Sequence, residues 1–121
     1  MKATVAIVQT APVFLDKTAT IDKACRLIRE AAEAGSGLIV FPEAFVAGYP
    51  DWVWVVPNNR KPLLASLYQR LLANAVTVPD EATKQLAETA AEAGINVVIG
   101  VNERNAEASG SSLFNTILFI G

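Results

Sequence analysis

Short apolar runs and helix-period stripes alternate along the chain. Thr4–Gln9 (TVAIVQ) is brief and rich in β-branched residues, which predicts a buried strand, and Pro12 stops it. From about Lys17 to Ala34 the period changes. Ile21, Cys25 and Ile28 stand at i, i+4 and i+7, one face of a helix. Asp16 or Thr18 can cap its start, and Gly35 stands where a left-handed C-terminal cap belongs. Leu38–Phe41 (LIVF) is continuously apolar, as in a strand covered on both faces, and Pro42 ends it. Phe45–Lys61 reads as a loop, with turn signals at Gly48, Pro50, Pro57 and Asn58–Asn59. Helices are predicted from about Pro62 to Ala75 and from about Asp80 to Ala93, the second with Leu86, Ala90 and Ala93 on one face. Ile95–Val101 (INVVIGV) and Leu113–Ile120 (LFNTILFI) are two more strands, joined through a hairpin-like stretch, Ala106–Ser112.

The pentapeptide AAEAG occurs at Ala31–Gly35 and again at Ala90–Gly94, each time ahead of an apolar strand. Helix, glycine cap and buried strand, used twice, imply right-handed crossovers in one sheet with helices against it. Ala and Glu are common helix formers, so the echo is read as shared architecture and not as duplication. The expected fold is therefore α/β: four strands in one sheet, helices packed on one face, one domain over residues 1–121. The length suits a single core.

Composition narrows the function. Apolar residues make up 52% of the chain, and mean hydropathy is +0.34, which argues against disorder. Net charge is −2 with no basic patch, so nucleic acid is not an expected partner. No apolar run approaches the roughly 18 residues of a membrane span. The apolar start, Met1–Phe14, is broken by Gln9 and Thr10 and reads as a strand and not as a leader, which points to the cytoplasm. Cys25 is the single cysteine and there is no histidine. An internal disulfide, Ser–His–Asp or Cys–His catalysis and histidine-based zinc sites are thereby excluded within these residues, and no metal site is expected.

The chemistry concentrates at Gly35–Pro50, GSGLIVFPEAFVAGYP. Here a carboxylate, Glu43, directly follows a buried strand, between a proline and a glycine-containing turn. Active sites of α/β proteins gather at the carboxyl ends of strands. Phe41, Phe45 and Tyr49 would surround Glu43 with low-dielectric material and leave it partly buried at a pocket mouth, an environment that suits a general base. On position alone, a solvated loop carboxylate is an equal reading.

The residue pattern separates the two. GSGLIVFPEAFVAGYP resembles the active-site glutamate signature of the nitrilase and cyanide hydratase branch of the carbon–nitrogen hydrolase superfamily: glycine, apolar pair, aromatic–Pro–Glu, then an apolar residue and Gly-Tyr-Pro at the expected spacing. VAIVQTAP is similar to that family's first strand. GVNER (Gly100–Arg104) and SLFNTILFI (Ser112–Ile120) are similar to its next two. The Gly-Tyr-Pro ending, with Trp52 and Trp54 just beyond, is more similar to true nitrilases than to the amidase and N-carbamoyl amide hydrolase branch, the alternative within the superfamily.

The resemblance implies an α–β–β–α sandwich, of which these residues form the N-terminal part. It implies hydrolysis of a nitrile to a carboxylic acid and ammonia by a Glu–Lys–Cys triad, on a small nitrile or amide substrate, without a cofactor and in a homo-oligomer. Only the glutamate maps here, as Glu43; the chain stops at Gly121, ahead of the segments that carry the family's lysine and cysteine. A non-catalytic piece that folds or associates with a complete subunit is the competing reading. Tyr49, Trp52 and Trp54 are candidate substrate contacts, and the two tryptophans serve equally well as subunit contacts. Cys25 shares the apolar helix face and reads as a small core hydrophobe. Lys61 reads as a solvated charge, Glu103 as an ion-pair or edge-strand charge, and Asn115 as a structural hydrogen-bonding residue.

Overall fold

The structure is a computed structural model that describes residues 2–105 and 110–121. Its elements are β1 (Val5–Ile7), α1 (Lys17–Glu33), β2 (Leu38–Val40), α2 (Trp52–Val55), α3 (Lys61–Ala73), α4 (Glu81–Ala93), β3 (Asn96–Arg104) and β4 (Leu113–Ile120). The four strands form one sheet in the order β1-β2-β3-β4. The first three run parallel, with Ala6, Ile39 and Val97 in register, and β4 returns antiparallel to β3 from Val97↔Ile120 to Arg104↔Leu113. The predicted α/β sheet and its four strands are present. The expected hairpin connection at Ala106–Ser112 falls largely outside the described residues.

Local chemistry explains the helix limits. The Asp16 side chain accepts the Ala19 N–H at 2.9 Å and starts α1. Asp80 and Thr83 form a reciprocal capping box at α4, and Gly94 closes that helix in the left-handed region, at φ +68°. The loop expected over Phe45–Lys61 contains one additional helical turn, α2, whose residues are not buried in the core.

Crossovers that advance in one direction across a sheet place their helices on the same face when both are right-handed. α1 and α4 indeed lie against each other. They bury Ile21, Cys25 and Ile28 of α1 and Leu86 and Ala90 of α4 against Ile39, Val97 and Ile99. Cys25 is enclosed between the two helices, where the Thr89 hydroxyl donates to its sulfur at 3.2 Å.

The other face is different. Alternation along each strand directs Val5, Ile7, Val40, Val98, Ile117 and Phe119 away from the helices. Among the described residues no element covers the edge strands of this face: Val5 and Ile117 are exposed, Ile7 is 72% exposed and Phe119 78%, while Val40 and Val98 in the central strands are partly buried.

Candidate active site

The glutamate turn begins as an interruption in strand pairing. At the end of β2, the Phe41 N–H donates to the Val98 carbonyl at 2.8 Å. A regular parallel ladder would next use Glu43. Instead the ladder resumes at Val46, whose N–H donates to Gly100 O at 3.2 Å and whose carbonyl accepts the Asn102 N–H at 2.7 Å. Residues between Phe41 and Val46 are thus pushed out of the sheet, with Glu43 among them and Ala44 in the left-handed region at φ +49°.

This extruded turn lies directly on β3. A Cβ on Gly100 would stand 2.5 Å from Pro42 O, 2.6 Å from Ala44 N and 2.8 Å from Glu43 Cα. Only glycine leaves room for backbone there. The turn's exit is held by Asn102, buried, whose Nδ2 donates to Val46 O at 3.1 Å and Gly48 O at 3.0 Å. Gly48 has φ +116°, and the Phe14 ring occupies the place its Cβ would take, at 2.4 Å. The neighbouring Leu15 N–H donates to Ala47 O at 2.9 Å, so the β1–α1 connection supports the same turn.

Phe41 and Phe45 flank Glu43 in sequence but turn into the core, their rings 5.1 Å apart and tilted by 60°. Tyr49 is itself exposed. The low-dielectric surround expected for Glu43 is therefore not formed by these side chains, and its carboxylate is exposed instead of partly buried. It still has a specific partner. Asn115, the register partner of Asn102 on β4, donates from Nδ2 to Glu43 Oε1.

Beside the turn is a cavity of about 310 Å³ walled by Ala44, Tyr49, Trp52, Tyr68, Phe114 and Asn115 among others. Glu43 stands at its edge through its neighbours Ala44 and Asn115. Of the candidate substrate contacts, Tyr49 and Trp52 line this space. Trp54 does not; it projects outward at 80% exposure. The enclosed Trp52 Nε1 has no hydrogen-bond partner among the described residues. The Tyr68 hydroxyl donates to the Ser111 carbonyl and ties α3 to the start of β4.

Glu103 alternates with Asn102 along β3, away from the turn, and accepts a hydrogen bond from the Thr116 hydroxyl at 2.8 Å. Lys61 is exposed at the start of α3. None of the ion pairs among the described residues involves Glu43, and no cluster of three His, Cys, Asp or Glu among them could hold a metal ion. Sequence reasoning missed Gly100 and Asn102 altogether. Their signal was a glycine and an asparagine spaced by two on one face of β3, directly after the apolar run Val97–Ile99, a face that has to receive backbone.

The turn holds a carboxylate at the carboxyl end of a parallel strand, beside an apolar-walled cavity, the place where open α/β sheets bind their ligands. The carbon–nitrogen hydrolase family pattern matches residues 4–121, and the chain belongs to that family. Curated relatives include an arylacetonitrilase of Aspergillus niger, 41% identical over 113 residues (93% of this chain, 31% of that protein). A nitrilase of a Bacillus species is 41% identical over 121 residues (98% of this chain, 32% of that protein). The chain thus spans about a third of the length of the curated relatives it matches. The fold is shared with an amidase from Nesterenkonia sp., at a TM-score of 0.52 and 23% identity over 84% of this chain and 34% of that one. It is shared too with a glutamine-dependent NAD(+) synthetase from Cytophaga hutchinsonii, at a TM-score of 0.57 and 16% identity over 99% of this chain and 17% of that one.

Proposed function

We propose that these residues are the glutamate-bearing part of a nitrilase that converts a small nitrile to a carboxylic acid and ammonia. The observation that carries the reading is Glu43 itself: a carboxylate on an extruded, buttressed turn, next to a cavity lined by its neighbours Ala44 and Asn115. In the proposed reaction Glu43 takes the proton of a cysteine thiol supplied by residues beyond Gly121. The thiolate adds to the nitrile carbon, and the nitrile nitrogen gains the proton, giving a thioimidate. A lysine, also from beyond Gly121, stabilises the charge that develops on that nitrogen. Glu43 then deprotonates water, which adds to the same carbon and expels ammonia; a second water releases the acid and restores the thiol.

Tyr49 and Trp52 are assigned to the substrate's organic group, since both wall the cavity. Trp54, outside it, is assigned to contacts between subunits of a homo-oligomer. The test is Glu43→Gln in the full-length polypeptide that carries these residues, assayed for ammonia release from nitriles and the matching amides. Glutamine keeps the shape but cannot accept the proton, so turnover should be lost with the fold intact. Activity close to that of the unchanged enzyme would remove Glu43 from the mechanism. A strong preference for amides would move the enzyme to the amidase branch.

A further inference from the structure

We infer that Asn115 is a positioning residue for Glu43, fixing which carboxylate oxygen serves as the base; this rests on the proposed role of Glu43. An exposed glutamate side chain has three rotatable bonds and ordinarily samples many rotamers. Here the backbone is already fixed by Gly100, the Val46 ladder position and Asn102. Those contacts hold the main chain and leave the carboxylate free to swing. Among the described residues, the side-chain hydrogen bond that reaches the carboxylate comes from Asn115 Nδ2, on β4, to Oε1.

The orientation of the amide follows from the partner. An ionised carboxylate only accepts, so the NH2 group and not the carbonyl oxygen of Asn115 must face it. With Oε1 engaged, Oε2 is left to receive a proton. Asn115 is also carried by the residue pair Asn102↔Asn115, so one strand pairing sets both the turn and its carboxylate. Asn115 lines the same cavity, which places the restraint on the side from which a substrate approaches.

Two experiments test this. In the 121-residue chain, the side-chain amide resonances of Asn115 should move when Glu43 is replaced by Gln, because the charged acceptor is lost. Resonances of Asn115 that ignore that replacement would overturn the contact, whatever Glu43 does in catalysis. In the full-length polypeptide, Asn115→Ala should lower kcat by about 10- to 100-fold, the usual effect of losing a hydrogen bond to a charged group, with KM changed far less. Asn115→Asp sets a second carboxylate against Glu43, and two such groups resist ionising together. The acid limb of its pH–rate profile should therefore move to higher pH, which a merely structural residue would not cause. Asn115→His, which returns an N–H at a similar reach, should recover part of kcat. Equal kcat in the Ala and His variants, or an unmoved acid limb in the Asp variant, would overturn the positioning role. Loss of turnover in Glu43→Gln, measured beside these, keeps that outcome separate from a failure of the base assignment.

Discussion

Replacing Gly100 by alanine adds one methyl group where three backbone atoms of the glutamate turn already stand, at 2.5, 2.6 and 2.8 Å. To reach ordinary contact the turn has to lift by about 1 Å, and none of the three neighbours is the flexible end of a side chain. Overpacking of this kind costs about 1–3 kcal/mol. The lift also strains the Val46 N–H to Gly100 O bond, already 3.2 Å long. Losing it adds about 1 kcal/mol. Against this, alanine restricts the unfolded chain and returns about 0.4–1 kcal/mol. The steric effect wins, and the net destabilisation should be about 2 kcal/mol. Gly37→Ala is the matched control: a Cβ there meets nothing within 4 Å, so only the unfolded-state gain applies. Urea unfolding at one protein concentration compares the two. In the full-length polypeptide the displaced carboxylate should lower kcat by roughly 100-fold, the effect of about 1 Å of misplacement. Gly100→Ala as stable as Gly37→Ala would refute the close approach of the turn to β3.

Asp80→Ala should destabilise the chain by about 1 kcal/mol, because its carboxylate accepts the Thr77 and Thr83 N–H groups at 2.9 Å; urea midpoints measure this. The uncovered sheet face should make the 121-residue chain self-associate, and Phe119→Lys should shift its sedimentation profile toward smaller species. Assayed alone, the 121-residue chain should release no ammonia from nitriles, since its one thiol, Cys25, is buried between α1 and α4.

The sheet and long helices were legible because each is written locally. A β-branched run gave β1, a continuous apolar run gave β2, the stripe of Ile21, Cys25 and Ile28 gave α1, and that of Leu86, Ala90 and Ala93 gave α4. Glu43 was legible through its motif, and its place at a strand end through Pro42. What surrounds it was not. Phe41 and Phe45 were adjacent in sequence to the carboxylate, yet sequence adjacency does not tell which side of the sheet a turn residue faces. The extrusion depends on Val46 pairing with β3, a contact across more than fifty residues. Such pairings leave no mark in local periodicity, and so the contacts of Gly100 and Asn102, and the partner of Asn115, emerged only from the structure.

The side-chain hydrogen bonds from Asn102 and Asn115 to the glutamate turn link residues 54 to 72 positions apart. That separation sets an order of events during synthesis. β1, α1 and β2 leave the ribosome with Glu43 already in the chain, but neither asparagine has yet been made. Contacts so distant in sequence form late, after shorter loops have closed. The carboxylate therefore gains its final orientation only after β4, the last described strand, has emerged and paired. A nascent chain arrested before Leu113 would hold the sequence motif without the arrangement it encodes.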